Sequence, residues 1–402
     1  MSEIYLDHNA SAPVREQVRM AVREALEDRY GNPSSIHRRG HRAKMLMQGA
    51  RESVASLLGG KAEEIVFTSG GTESNNLAIF GVALARPPAH LIVTAVEHSS
   101  VLEPALELQR RGWRVSRVGC DPEGWVAPEA VLQAVSAETV MVSMMHSNHE
   151  VGTLQDVGAV AEGLRGSGVL LHCDAVQSAG KVHLDVQELG ADLMSVSAHK
   201  IGGAAGVGCL WIRSGIELDP IVRGGSQETN RRAGTPALSL IAGFGEAARL
   251  AGEELIEELE RVGRLRDLME EELRTRLPGV RLHGTGRNRL PNTTNFALPG
   301  WRGEDLVVAL DLEGIAISTG SACAAGTVRP SHVLLAMGCS AEEAGSALRV
   351  SLGHASRQED VARFLGALKR IVREGEDALM VDRAHEEEPS GSPRVPGGEA
   401  RT

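Results

Sequence analysis

Short apolar runs alternate with stretches of helical spacing through the first half of the chain. Residues 64–68, 91–96, 140–145, 169–173 and 193–197 are nearly continuous in apolar and β-branched side chains, and polar or glycine positions bound them. Runs of this length without polar alternation read as strands buried on both faces. Segments 101–111 and 157–165 between them carry helical periodicity. Strand and helix repeated in this order predict an α/β fold with a mostly parallel sheet covered on both faces. Ligands of such sheets bind beyond the carboxyl ends of the strands. Polar residues just after these runs are therefore the candidates for chemistry.

The pattern changes further on. Residues 238–277 are helical and heavily charged, with Glu253, Glu254, Glu257, Glu258 and Glu260 followed by Arg261, Arg264 and Arg266. These charges read as a solvated helix face, long enough to link two domains. Short strands at 280–283 and 294–298 and further helices predict a smaller α+β domain. The expected division is a large domain over 15–255 and a small domain over 1–14 and 256–383. Residues 384–402, rich in Glu, Pro, Gly and Ser, are expected to be disordered. A length of 402 residues suits two cores.

Composition narrows the class. Hydrophobic content of 42% and charged content of 24% are those of a soluble globular protein. The net charge of −11 argues against direct nucleic-acid binding, which needs clustered Lys and Arg. No apolar run reaches the roughly 18–20 residues that cross a bilayer, so no membrane association is expected. The start, Met1-Ser2-Glu3-Ile4-Tyr5-Leu6-Asp7, lacks the basic and apolar regions of a signal peptide. The five cysteines are scattered without a CxxC pair, which reads as reduced thiols in a cytoplasmic protein.

Several residues stand where chemistry would be sited. Ser69-Gly70-Gly71-Thr72-Glu73-Ser74 follows a run and opens a helix, so it reads equally as a phosphate-binding turn or a plain N-cap. Asp174 ends an apolar run and needs a cationic partner there, in a salt bridge or in a bound pyridinium. His98 ends another, as a structural histidine or one facing a flat ligand. Lys200, in Ser197-Ala198-His199-Lys200, stands where desolvation would leave some neutral amine able to form a covalent carbonyl adduct. Arg349 lies among apolar residues, suited to a carboxylate or to an internal ion pair. Cys323 lies in Ser321-Ala322-Cys323-Ala324-Ala325-Gly326, which reads as a mobile loop. Cys173 and Cys209 lie inside apolar runs and read as buried hydrophobes. Cys120 and Cys339 have no evident activating neighbours. His146 and His149 lack an evident third ligand, so no metal is expected there.

Taken together and in order, these motifs resemble the cysteine desulfurases of the class V aminotransferase group. The resemblance runs from Tyr5-Leu6-Asp7-His8-Asn9-Ala10 to about residue 375. It includes Gly31-Asn32-Pro33-Ser34-Ser35, Val96-Glu97-His98, Asp174-Ala175-Val176-Gln177, His199-Lys200, Arg232-Ala233-Gly234-Thr235 and Ser321-Ala322-Cys323. The loop around Cys323 is similar to that of the subgroup serving iron–sulfur assembly and tRNA thiolation. The resemblance implies a pyridoxal-phosphate fold of type I and L-cysteine as substrate. It implies that Lys200 carries pyridoxal 5'-phosphate covalently, that Asp174 keeps the ring nitrogen protonated, that His98 stacks on the ring and that Gln177 meets its hydroxyl. Gly71, Thr72, Ser197 and His199 would bind the phosphate, and Thr235 would reach the phosphate of a partner subunit in a homodimer with shared sites. Arg349 would hold the substrate carboxylate. Cys323 would attack the substrate sulfur and deliver it to acceptor proteins. An ordinary thiol, with a pKa of about 8.5, needs a proton acceptor to react at neutral pH, and His98 is a candidate.

Two departures stand out. His149 occupies a position where the family usually has an asparagine that helps hold the ring and the substrate, and Gly203-Ala204-Ala205-Gly206 lacks the usual proline and lysine. Two rival readings follow: a lyase for selenocysteine or a related amino acid, and a catalytically idle scaffold for sulfur-transfer proteins.

Overall fold

The structure, a computed structural model, describes residues 3–320 and 330–386, with side chains described as far as residue 375. Cys323 and residues 387–402 lie outside the described residues. The chain enters on a short strand, β1 (Ile4–Tyr5). Seven strands then build the main sheet: β2 (Ile65–Thr68), β3 (His90–Thr94), β4 (Arg114–Val118), β5 (Thr139–Met145), β6 (Leu170–Asp174), β7 (Leu193–Ser197) and β8 (Gly208–Ile212). Their order is β2-β8-β7-β6-β5-β3-β4. The pairs from β4 to β7 are parallel, while β8 runs antiparallel between β7 and β2. This is the mostly parallel α/β sheet that the apolar runs predict.

Both sheet faces are buried, which is why the runs are apolar throughout. In β8, Cys209 and Trp211 enter one core while Leu210 and Ile212 enter the other. In β7, Met194 and Val196 face the first core and Leu193 the second. That alternation is the period of two of a pleated strand. Helices Arg38–Leu57, Val157–Leu164 and Leu238–Glu253 supply Val54, Val160 and Phe244 to the first core. Helices Gly71–Leu84 and Ser99–Arg110 supply Leu77, Ile79, Val101 and Ala105 to the second.

A smaller unit follows, with β9 (Arg281–His283), β10 (Thr293–Ala297), β11 (Ile315–Ala316), β12 (Ser318–Thr319) and β13 (Ala347–Ser351). The order β12-β13-β10-β9 forms an antiparallel sheet. The chain start joins this unit, because β1 pairs with β11 and Asp7 bridges to Ser351. Its core gathers Leu6, Phe296, Leu306, Leu348 and Phe364. Its long helix Gln358–Glu386 continues past residue 384, where the sequence predicts the tail to begin.

One buried polar group ties the sheet centre to pH. His172 on β6 is fully enclosed, with its ring nitrogens 2.8 Å from Ser143 Oγ and 3.0 Å from Ser195 Oγ. Burial pushes its pKa down from 6.5 to about 3. Between those values the unfolded chain binds the extra proton and the folded one does not. Stability therefore rises with pH across that window and is lost as pH falls through it. We expect His172→Gln to flatten the loss of urea-midpoint stability between pH 7.5 and pH 5 relative to the parent; an unchanged slope would count against this coupling.

Candidate active site

A cavity of about 280 Å³ opens at the carboxyl ends of β5, β6 and β7 and against the start of helix Gly71–Leu84. Of the residues selected from the sequence, Gly71, Thr72, His98, His149, Asp174, Gln177, Ser197, His199, Lys200 and Arg349 line it. Thr235 does not; it is exposed, beyond the Arg232–Glu73 ion pair of 2.9 Å that braces the helix start. The backbone passes closely there, since a Cβ at Gly208 would lie 2.7 Å from the Gly70 Cα. Strand β8 can therefore carry only glycine beside the turn.

Asp174 ends β6 and is buried. One carboxylate oxygen accepts from Asn75 Nδ2 at 2.7 Å, the other from the Val176 N–H at 3.0 Å. Asn75 also donates to Ser100 Oγ at 2.8 Å. Lys200 donates to the carbonyls of Asn9 and Ala10 at 2.5 and 2.8 Å, so its amine is held at the cavity wall by the chain's N-terminal segment. Gln177 donates to the same Asn9 carbonyl at 2.9 Å and accepts from Lys181 at 2.7 Å. Lys181 is half-buried, and desolvation, with the charges of Lys200 and Arg349, holds its pKa well below the usual lysine range.

His98 caps helix Ser99–Arg110. Its Nδ1 accepts the Ser100 N–H at 3.1 Å and lies 2.7 Å from Ser100 Oγ. An acceptor at Nδ1 places the proton of the neutral ring on Nε2. Burial, with the neighbouring His149, lowers the pKa of His98 to about 4, so the neutral form prevails at pH 7. Its ring meets His149 edge-on with centroids 5.3 Å apart. His149 is pushed down to about 3, mainly by burial, and its Nε2 lies 3.5 Å from Glu150 Oε1. Arg349 is fully buried on β13, bonded to Asp7 at 2.7 Å and to the His149 carbonyl at 3.1 Å.

Sequence reasoning missed a layer beneath these residues. Asn9 is the largest omission: its side chain joins Lys181, Asn292 and Thr293 at 3.0, 3.0 and 2.8 Å. Glu97 and Glu150 are buried carboxyls whose pKa values rise to about 8 and about 7, chiefly through burial. Glu150 accepts from Ser331, and His332 Nε2 lies 2.9 Å from the Glu97 carbonyl. The Asn9 and Glu97 positions fall inside motifs used for the resemblance, yet no spacing rule marks them as hubs.

The chain matches the model of the aminotransferase class-V family over residues 4–364. That family, with this fold and cavity, defines a pyridoxal-phosphate enzyme of fold type I. Among relatives, a protein named cysteine desulfurase IscS of Dictyoglomus turgidum is 42% identical, covering 92% of this chain and 94% of its own. Cysteine desulfurase IscS 1 of Archaeoglobus fulgidus is 40% identical over 92% of this chain and 96% of its own. A solved NifS-like protein superposes with a TM-score of 0.87 at 35% identity, covering 92% of this chain and 99% of that one. The structure titled SspA in complex with cysteine superposes with a TM-score of 0.78 at 32% identity, over 87% and 99% of the two chains. The chain belongs to the class-V aminotransferase family, among its cysteine desulfurases.

The cavity fits the cofactor of this class. Ser197 Oγ, Asn75 Oδ1, His149 Nδ1 and Arg349 Nε are buried and find no hydrogen-bond partner among the described residues. Buried polar atoms of this kind are normally paired. Pyridoxal phosphate offers a phosphate for a helix start and a serine, a ring nitrogen for a carboxylate and an aldehyde for an amine. All four protein groups are on the cavity wall.

Removing the Asn9 side chain takes one hydrogen bond each from Lys181, Asn292 and Thr293, which keep Gln177, the Leu352 carbonyl and Asn292 Oδ1 as their other partners. We expect Asn9→Ala to lose about 1–3 kcal/mol in urea unfolding and to take up pyridoxal phosphate more slowly, read by absorbance during reconstitution. Unchanged stability and uptake would refute the hub role.

Proposed function

We propose that this chain converts L-cysteine to L-alanine and carries the released sulfur as a persulfide on Cys323, for delivery to acceptor proteins of iron–sulfur cluster assembly or tRNA thiolation. The observation that carries the reading is the convergence of Lys200, Asp174, His98 and Arg349 on one cavity, in a chain whose relatives bear the desulfurase name. When bound, pyridoxal phosphate supplies an electron sink for the substrate α-carbon. Lys200 would hold it covalently through Nζ, and the same amine would take the substrate α-proton. Asp174, kept in place by Asn75 and the Val176 N–H, holds a proton on the ring nitrogen. The turn at Gly71 and Thr72, with Ser197 and His199, takes the phosphate, and Gln177 meets the ring hydroxyl.

Arg349 receives the substrate carboxylate, with Asp7 fixing its fork from the other side. His149 stands in for the family asparagine as a neutral ring that can still donate one hydrogen bond. Cys323 attacks the substrate sulfur; an S–S bond forms, the C–S bond breaks, and the electron pair left on the β-carbon takes a proton to give alanine. His98, with its proton on Nε2, enters as a proton donor. It can accept the thiol proton only after giving that one up.

Exposed apolar side chains early in the chain support the homodimer. Met20, Leu26, Tyr30, Ile36 and Met45, on and between helices Glu16–Glu27 and Arg38–Leu57, are all exposed by half or more. Apolar exposure of that extent suits a subunit contact. Thr235, outside its own cavity, would then serve the partner's. No helix among the described residues is long and apolar enough to cross a membrane, and a cytoplasmic location is proposed with the rest.

Two outcomes test this reading. Cys323→Ala should abolish alanine release from cysteine and the mass gain of one sulfur on the protein, while the colour lost on borohydride treatment persists. Alanine release from cysteine that survives the substitution would overturn the role of the persulfide, and survival with selenocysteine alone would identify direct elimination. Met45→Glu should shift the chain toward monomer in sedimentation; an unchanged dimer would place the interface elsewhere.

A further inference from the structure

Three ligand-bearing side chains meet in the small unit, away from the cavity. One nitrogen of His283, the Cys339 sulfur and one carboxylate oxygen of Glu343 all lie within 4.8 Å of one another. His283 ends β9 and is buried, while Cys339 and Glu343 are half-buried. Cys339 precedes the short helix Ala341–Ser346, on which Glu343 stands with its N–H capped by Ser340 at 3.1 Å.

The hydrogen bonding leaves a problem of charge. With the Asn295 amide as it stands, His283 Nδ1 lies 2.7 Å from its Oδ1, an acceptor, so Nδ1 carries the proton of the neutral ring, while Asn295 Nδ2 finds no partner among the described residues. The Nε2 lone pair then faces Glu343 Oε1 at 3.3 Å, another acceptor. Arg281 Nη1 approaches the other carboxylate oxygen at 3.2 Å from an exposed position and leaves Oε1 facing the histidine. Two acceptors and a thiol pointing at one another need a proton or a metal ion between them. A histidine oriented through its far nitrogen by an amide carbonyl is the usual second layer of a metal site.

We propose that His283, Cys339 and Glu343 form a site for a thiophilic divalent cation such as Zn²⁺, with the fourth position taken by water. Imidazole, thiolate and carboxylate are the three ligand types that zinc accepts. Bonds of roughly 2.0–2.3 Å in a tetrahedron place ligand atoms about 3.3–3.8 Å apart, so the His283–Glu343 pair at 3.3 Å already fits and the Cys339 sulfur closes by at most about 1.5 Å. The thiol proton leaves to solvent on binding. The ion would tie β9 to the segment after helix His332–Ala336, whose N-terminal side carries the contacts of Ser331 and His332 with Glu150 and Glu97. The site is separate from the His146 and His149 pair considered from the sequence.

Cobalt(II) serves as the spectroscopic probe, added to pyridoxal-loaded protein carrying Cys323→Ala so that this thiol cannot compete. The expected result is one cobalt per chain after gel filtration, with ligand-field bands of a tetrahedral ion and a sulfur-to-cobalt charge-transfer band. Cys339→Ser should remove the charge-transfer band, His283→Gln should remove stoichiometric binding, and the isosteric Glu343→Gln should weaken binding at least tenfold while cofactor colour and the far-UV spectrum stay as in the parent. Absence of stoichiometric cobalt, or its retention in both the Cys339 and His283 variants, would overturn the site in favour of a protonated His283 paired with Glu343.

Discussion

A lysine amine cannot be kept in a cleft between the main sheet and the smaller unit unless something polar holds it, and here the N-terminal segment does so. The Asn9 carbonyl takes hydrogen bonds from Lys200 and Gln177, while its side chain ties Lys181, Asn292 and Thr293 and its N–H meets Ser351. Lys200, Gln177 and Lys181 follow strands of the large sheet, whereas Asn292, Thr293 and Ser351 belong to the small unit. A single buried asparagine therefore satisfies polar groups from both sides of the cleft. Buried networks of this kind are costly when incomplete and rigid when complete. The cavity keeps its shape because this network closes.

Charge in the cleft follows from the same burial. Arginine stays ionised in proteins, and Arg349 is answered by Asp7 across the strand junction. The histidines around the cavity are pushed toward neutrality: His98 and His199 to about 4, His149 to about 3. Burial works in the opposite sense on Glu97 and Glu150, which hold protons near neutral pH. The acidic and strongly basic side chains on the cavity wall are few and specific: Asp174, Arg349 and Lys200. That distribution suits a ligand with a cationic ring nitrogen and an anionic carboxylate, and the uncommitted N–H groups of the helix start suit a phosphate.

Much of this was legible in the chain before any geometry. Asp174, Ser197 and His98 end or follow apolar runs, so the rule for open α/β sheets points to them directly. Lys200 was found the same way, although its partners were not. Asn9, Asn75 and Lys181 escaped because their importance comes from contacts between distant segments, which leave no local pattern. Strand β4 escaped for another reason: Arg114-Val115-Ser116-Arg117-Val118 is an edge strand with exposed polar positions, so it lacks the continuous apolar run that marks its neighbours. Arg349 shows the limit of residue type as a guide. A buried guanidinium among apolar neighbours reads as an ion pair or as a carboxylate site, and here Asp7 occupies part of the fork while Nε finds no partner among the described residues.

The two flanks of the segment carrying Cys323 are held by different means. Gly320 donates to the Ala347 carbonyl at 3.0 Å, which fixes it to the small sheet beside β13 and hence near Arg349. On the far side, Ser331 donates to Glu150 and His332 meets the Glu97 carbonyl, which fixes that flank to the residues next in the chain to His149 and His98 of the cavity wall. The segment thus begins beside the small sheet and ends against residues that follow strands of the main sheet. Its later flank rests on a carboxyl whose pKa is raised to about 7, so the proton inventory of that anchor changes near neutral pH. Glu150 also adjoins His149, the residue by which this chain departs from its family. Substitution there alters a cavity side chain and the neighbour of a flanking anchor together, and a compensating change is to be sought in the Ser331–Glu150 contact before the ring-binding residues.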